Sequence, residues 1–290
     1  LPTRDLPIGV FDSGVGGLTV LASLVLRLPG EHLLYLGDTA RVPYGSRSPE
    51  TVLRYAERVA GHLLGRGIKA LVVACNTATT WALPALQATG RARGIPVVGV
   101  IEPGVHRALA TTKSGHVAVI GTEGTIRGGR YTALLQEQRP DLRVDALACP
   151  LFVALAEEGW SEGPVAALVA EQYLGPLRGG ADTVILGCTH YPLLRSAIQA
   201  ALPGVQLVDS ATATAEATAA LLAREGLLRR ADQGGQARFL VTDNVERFER
   251  VGARFLADPP RGAEVVDIDD ADHVTWHAGP ARAGTHRSGQ

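Results

Sequence analysis

Ala70-Leu71-Val72-Val73-Ala74-Cys75-Asn76-Thr77-Ala78 and Thr183-Val184-Ile185-Leu186-Gly187-Cys188-Thr189-His190-Tyr191 are two stretches of one kind. Each opens with a short apolar run bounded by a turn, which reads as a buried strand of a parallel sheet. Each then delivers a cysteine at the strand's end, ahead of a segment that can start a helix. In open α/β sheets, ligands bind outside the carboxyl ends of the strands. Two thiols in matching positions therefore predict a pair facing one small substrate.

Working outward, the same grammar repeats. Ile8-Gly9-Val10-Phe11 reads as a strand running into the glycine-rich turn Asp12-Ser13-Gly14-Val15-Gly16-Gly17 and a helix from Leu18. A strand Leu33-Leu34-Tyr35-Leu36 ends at Gly37-Asp38, and a loop carries Pro43-Tyr44-Gly45-Ser46. Ser48-Pro49-Glu50 opens a helix of roughly 16 residues, with Pro49 suited to the first turn and Glu50 to the positive end of the dipole. A helix from about Thr79 leads to the strand Val97-Val98-Gly99-Val100. Around Ile101-Glu102-Pro103-Gly104 the pattern restarts. The strand His116-Val117-Ala118-Val119-Ile120 leads into Gly121-Thr122-Glu123-Gly124-Thr125, and one helix is predicted over 126–138. A short strand near Leu142-Arg143-Val144 precedes Cys149-Pro150, helical stretches surround Glu157 and Leu168, and Cys188 follows. After Gln206-Leu207-Val208-Asp209-Ser210 come an Ala/Thr-rich helix to about 225, a strand at Arg238-Phe239-Leu240-Val241, a helix over 246–256 and a last strand over 264–268.

This order implies an α/β fold of two similar doubly wound domains with parallel sheets. Asp12 precedes Cys75 by 63 residues and Thr122 precedes Cys188 by 66, which reads as an internal repeat. Related by a pseudo-twofold, the two halves would place their cysteines across one cleft. Residues 1–102 with 211–270 are expected to form the first, discontinuous domain, and 103–210 the second. Residues 271–290, polar and rich in Gly and His, read as a disordered tail.

Composition removes several classes. The chain has 290 residues, 46% hydrophobic and 20% charged, enough for substantial cores. No apolar run approaches the roughly 20 residues of a membrane span, and the first residues carry no signal-peptide pattern. A net charge of −1 gives no footprint for nucleic acid. Lysine occurs only at Lys69 and Lys113, which argues against a pyridoxal Schiff base. Three cysteines in so long a chain point to reduced, cytosolic thiols rather than disulfides. Gly14-Val15-Gly16-Gly17 resembles a dinucleotide loop, with Asp38 near the ribose position, but Thr19 replaces its third glycine and Asp12 would repel a pyrophosphate.

A thiol at a strand-to-helix turn is expected to have a lowered pKa and to act as a base near neutrality. His190 could shuttle protons or hold Cys188 ionised, and Asp12 is the corresponding group beside Cys75. Asn76, Thr77 and Thr189 offer donors for the carboxylates of an anionic substrate. Taken singly, Cys149 is a buried small hydrophobe, Asp12 a helix cap, His190 a structural histidine and Tyr44 a packed ring in a turn.

Together, Phe11-Asp12-Ser13-Gly14-Val15-Gly16-Gly17, Val42-Pro43-Tyr44-Gly45, Ala74-Cys75-Asn76-Thr77-Ala78 and Gly187-Cys188-Thr189-His190-Tyr191-Pro192-Leu193 resemble the glutamate racemases of the cofactor-independent aspartate/glutamate racemase superfamily. Gly121-Thr122-Glu123-Gly124-Thr125-Ile126 and Cys149-Pro150-Leu151-Phe152-Val153 fit as well, so the resemblance extends to about Ile268. It implies an active site between two α/β domains. Cys75 would deprotonate D-glutamate and Cys188 L-glutamate, with Asp12 and His190 assisting and Glu157 supporting His190. It assigns Asp12, Ser13, Tyr44, Gly45, Asn76, Thr77, Thr122, Thr125, Thr189 and His190 to substrate binding. It also implies no metal or other cofactor, a homodimer, and a role in supplying D-glutamate for peptidoglycan in the bacterial cytoplasm. The alternatives are an aspartate or hydantoin racemase, a cysteine hydrolase using Cys188 and His190, and a non-catalytic binding protein.

Overall fold

Strand and helix alternate because short, mostly apolar runs, several of them closed by Gly or Asp, are spaced by longer amphipathic segments. The computed structural model describes residues 3–230 and 234–268. The chain begins β1 (Ile8–Asp12), α1 (Leu18–Arg27), β2 (Leu33–Gly37), α2 (Pro49–Gly65), β3 (Ala70–Val73), α3 (Asn76–Ala92) and β4 (Val97–Gly99). It continues through α4 (Ile101–Thr111), β5 (His116–Gly121), α5 (Glu123–Gly128), α6 (Arg130–Gln138), β6 (Arg143–Ala148), α7 (Leu151–Glu158), α8 (Gly163–Leu174), β7 (Thr183–Gly187), α9 (Arg195–Ala201) and β8 (Gln206–Asp209). It closes with α10 (Ala211–Arg224), β9 (Ala237–Val241), α11 (Val245–Gly252) and β10 (Glu264–Val265).

The strands form two parallel sheets, of order β10-β9-β2-β1-β3-β4 and β6-β5-β7-β8. Within the first, β2-β1-β3-β4 repeats the order of the whole second sheet, so the repeat read from cysteine spacing is a repeat of topology. The result is a two-domain α/β fold. Among the described residues, no helix is long and apolar enough to cross a membrane.

Strand alternation sorts each sheet's side chains into two layers. Ile8, Val10, Tyr35 and Val72 of the first sheet join Val117, Val119 and Ile185 of the second in one core shared by both, with α1, α4 and α10 contributing. The opposite parity packs outward. Phe11, Leu71 and Val73 face α2 and α3, and Cys75 continues that layer. Ala118, Val184 and Leu186 face α7, α8 and α9, and Cys188 continues that one. Both cysteines thus leave their strands on the outward parity, at corresponding places.

Several elements depart from expectation. Residues 101–111 form α4, a helix absent from the sequence reading; Pro103 lies in its first turn, where no backbone donor is needed. The single helix expected over 126–138 is two, because Gly129 adopts φ 63° and ends α5 before α6 begins. The strand near 142–144 runs further, as β6. The last helix and strand are shorter than read, at Val245–Gly252 and Glu264–Val265. The tail expected over 271–290 lies outside the described residues.

Candidate active site

The carboxyl ends of β3 and β7 meet at a small cavity of about 50 Å³. Ser13, Cys75, Asn76 and Thr77 enter it from the six-stranded side; Thr122, Cys188, Thr189 and His190 enter from the other. Gly14, after β1, Val42, Pro43, Tyr44 and Gly45, in the loop after β2, and Val153 and Glu157, on α7, complete the wall. The space takes only a few water molecules.

Cys75 caps α3. Its sulfur accepts the Ala78 N–H at 3.4 Å, and its thiol donates to Ser13 Oγ at 3.5 Å. A lowered pKa was the sequence expectation, and here the structure corrects it. Burial, then the nearby charge of Asp12, push the Cys75 thiol up to about 12, outweighing Ala78 and Ser13. Cys75 therefore holds its proton at neutral pH.

Cys188 is placed differently. Pro192 lies in a 3-10 turn, Tyr191–Leu194, and α9 begins only at Arg195, so no α-helix N-terminus abuts this sulfur. Its partner is His190, whose Nδ1 stands 3.8 Å from Sγ. His190 Nε2 faces Glu157 Oε1 at 3.2 Å. Burial alone would lower the imidazole's pKa, but the contacts with Cys188 and Glu157 prevail and raise it to about 10. Burial likewise opposes ionisation of Glu157, yet His190 and Arg247 hold its carboxyl below the usual range.

Asp12 is buried at the end of β1 and is not among the cavity's lining residues. Its Oδ2 accepts the Gly14 N–H at 2.9 Å, while Oδ1 has no hydrogen-bond partner. Burial raises its carboxyl pKa against the pull of His190 and of the turn's backbone N–H groups. Its reach to Cys75 and His190 is electrostatic. Tyr44 lines the cavity, but its hydroxyl donates to Asp38 Oδ2 at 2.6 Å.

Thr77, Thr122 and Thr125 form a triangle of hydroxyls across the seam, at 2.9, 3.2 and 3.0 Å; Thr125 lies behind the lining. Asn76 Oδ1 accepts from Tyr131 at 2.7 Å, which leaves its buried Nδ2 without a partner. Trp81 Nε1 donates to Gly124 O at 3.1 Å. A Cβ at Gly16 would fall 2.3 Å from Thr189 Oγ and 2.5 Å from His190, so the turn after β1 needs glycine where the other half closes on it.

Cys149 is buried, and burial, with the charge of Cys188, pushes its thiol up to about 12. Residues that the sequence reading did not assign to this site also join it, among them Asp38 beneath Tyr44, Tyr131 on Asn76, Arg247 on Glu157, and Val153 in the wall. Asp38 did carry a signal, an acid at a strand's carboxyl end.

The chain belongs to the Asp/Glu/hydantoin racemase family, whose model matches residues 8–218, and within it to the glutamate racemases. A glutamate racemase of Geobacter metallireducens is 55% identical over 251 residues, covering 86% of this chain and 92% of that one. The crystal structure of the Francisella tularensis glutamate racemase in complex with D-glutamate superposes with a TM-score of 0.86 at 36% identity, over 92% and 99% of the chains. The Thermus thermophilus glutamate racemase in complex with β-chloro-D-alanine gives 0.82 at 46% identity, over 91% and 97%.

Proposed function

We propose that this protein interconverts L- and D-glutamate by proton transfer at Cα, and that D-glutamate so formed serves peptidoglycan synthesis in the cytoplasm. One observation carries the reading. Cys75 and Cys188, each at the end of a corresponding strand, line the same small cavity. Inverting a stereocentre through a carbanion needs a base on one face and an acid on the other, and two halves of like topology supply one each.

Cys75 holds its proton, and the His190 imidazolium faces Cys188 at 3.8 Å. From L-glutamate the Cα proton passes to the Cys188 sulfur, and Cys75 returns one to the opposite face. The reverse reaction exchanges the roles. The Cα–H is a very weak acid, so the developing carbanion must be stabilised through the α-carboxylate. Asn76 Nδ2, Thr77, Thr189 and the N–H groups opening α3 are the donors for it, with Tyr131 orienting Asn76. Ser13, Gly45 and Thr122 shape the remaining wall.

The cavity is too small for an amino acid, so the halves part to admit it and close to exclude water. Sheet membership of the described residues supports those within 1–102 and 211–270 as one moving body and 103–210 as the other. Family resemblance supports a homodimer.

The test uses reduced protein with either enantiomer in D2O and no added cofactor, following optical rotation and deuterium at Cα. Inversion with deuterium gain from both enantiomers is expected, and loss of both directions in Cys75→Ala and in Cys188→Ala. Exchange or turnover that survives Cys75→Ala would replace this reading with single-thiol chemistry at Cys188 and His190. Inversion of aspartate in preference to glutamate would reassign the substrate.

A further inference from the structure

α11 is fastened to the six-stranded sheet, where the Phe248 ring lies 5.9 Å from Tyr35 and 6.1 Å from Phe239. From it, Arg247 Nη2 donates to Glu157 Oε2 at 2.8 Å. Glu157 belongs to α7, which packs on the four-stranded sheet through Phe152 against Tyr191. The other carboxylate oxygen, Oε1, stands 3.2 Å from His190 Nε2, and Nδ1 faces Cys188 at 3.8 Å. Three contacts thus join a guanidinium on one half to a thiol on the other. Arg254 donates to the Glu157 main-chain oxygen, and Phe255 meets the His190 ring edge-on at 5.4 Å. Thr189 Oγ, 3.5 Å from Nδ1, is a competing partner for the imidazole.

We propose that Arg247 is a positioning residue for proton transfer at Cys188: it fixes the Glu157 carboxylate so that Oε1 holds His190 Nε2–H and Nδ1 is left facing the sulfur. A carboxylate gripped at both oxygens has one orientation, whereas one gripped only by an imidazole can swing. Which ring nitrogen serves the reaction is set by the hydrogen bond the other makes. Because Arg247 comes from the opposite half, the arrangement is complete only on closure. This inference rests on the racemase reading for its kinetic consequence, though not for its geometry.

The experiment compares Arg247→Gln and Arg247→Lys with the unmodified protein. The two enantiomers have equal free energy, so every variant must keep kcat/KM equal in the two directions; a weakness at one thiol shows instead in isotope effects. In Arg247→Gln, kcat/KM should fall about tenfold, roughly the 1.4 kcal/mol of a lost charge-assisted contact. Its primary isotope effect should grow with Cα-deuterated L-glutamate, whose deuteron goes to Cys188, and not with the D-enantiomer. Arg247→Lys should recover much of the rate. Independently of turnover, substrate-free protein labelled with heavy nitrogen at histidine should show a slowly exchanging His190 Nε2–H signal, assigned by its loss in His190→Asn. The signal should vanish in Arg247→Gln and persist in Arg247→Lys. An unchanged signal, or an isotope effect that grows equally in both directions, overturns the proposal. Should the unmodified protein leave both enantiomers untouched, the racemase reading fails, and the Nε2–H signal alone decides the role of Arg247.

Discussion

Neutral partners surround the sulfur of Cys75, namely Ser13 Oγ and the Ala78 N–H, while an imidazole paired with a carboxylate stands beside Cys188. The asymmetry has a consequence for stability. His190 is raised from 6.5 to about 10 on folding, so its contribution is fully present below pH 6.5 and is lost as pH rises through about 10. The urea midpoint of the unmodified protein should therefore drop more between pH 6.5 and 10 than that of His190→Asn. Equal drops would show that the folded imidazole titrates where the unfolded one does. Part of each sulfur's surroundings was legible because it is adjacent in sequence: Asn76 and Thr77 follow one, Thr189 and His190 the other, whereas Ser13 reaches Cys75 across 62 positions. Arg247 and Tyr131 were not legible, since they reach Glu157 and Asn76 across 90 and 55 positions of chain. The thiol pKa of Cys75 was misread for a related reason: a helix N-terminus is visible in sequence, whereas depth of burial is not.

α3 and α5 meet across the seam with almost no space between them. A Cβ at Gly128 would fall 2.1 Å from Thr80 Cγ2 and 3.0 Å from Trp81. Gly128→Ala should hold the halves apart by displacing α5, raising KM severalfold while leaving helix content unchanged by circular dichroism. Adding Thr80→Ala removes the methyl that clashes, so the double variant should regain part of the lost affinity; no recovery would place the fault inside α5 itself. Glycine also marks where sequence reading of elements fails. Gly128-Gly129 was passed over inside a helical pattern, though a left-handed Gly129 ends one helix and starts the next. Around Pro103-Gly104 the strand-and-helix pattern was read as restarting, with no helix there. In α4 the proline occupies the first turn, and Gly104 packs closely, a Cβ there lying 3.2 Å from Ser210. Local punctuation is the same in a turn and in a helix start; the packing that decides between them is not local.

The whole molecule repeats one strand order twice; the strands themselves were readable because buried parallel strands are near-continuous apolar runs, but their order was not. What sequence could not show is that the two sheets share a core, since Val117, Val119 and Ile185 belong to the same cluster as Ile8 and Val10. One further consequence concerns the order in which the chain is made. Strand β9 lies against β2, Ala237 opposite Leu33, whereas β5, β6, β7 and β8 fall within residues 116–209. At about 5–20 residues per second, a ribosome would need on the order of 10–40 s after making β2 to supply its partner. Nascent chains halted shortly before residue 237 should thus resist protease within 116–209 while β2 is still cut; equal protection of both would refute this. During that interval the unfilled edge of β2, flanked by Leu34 and Leu36, is the part of the newborn protein in need of a chaperone.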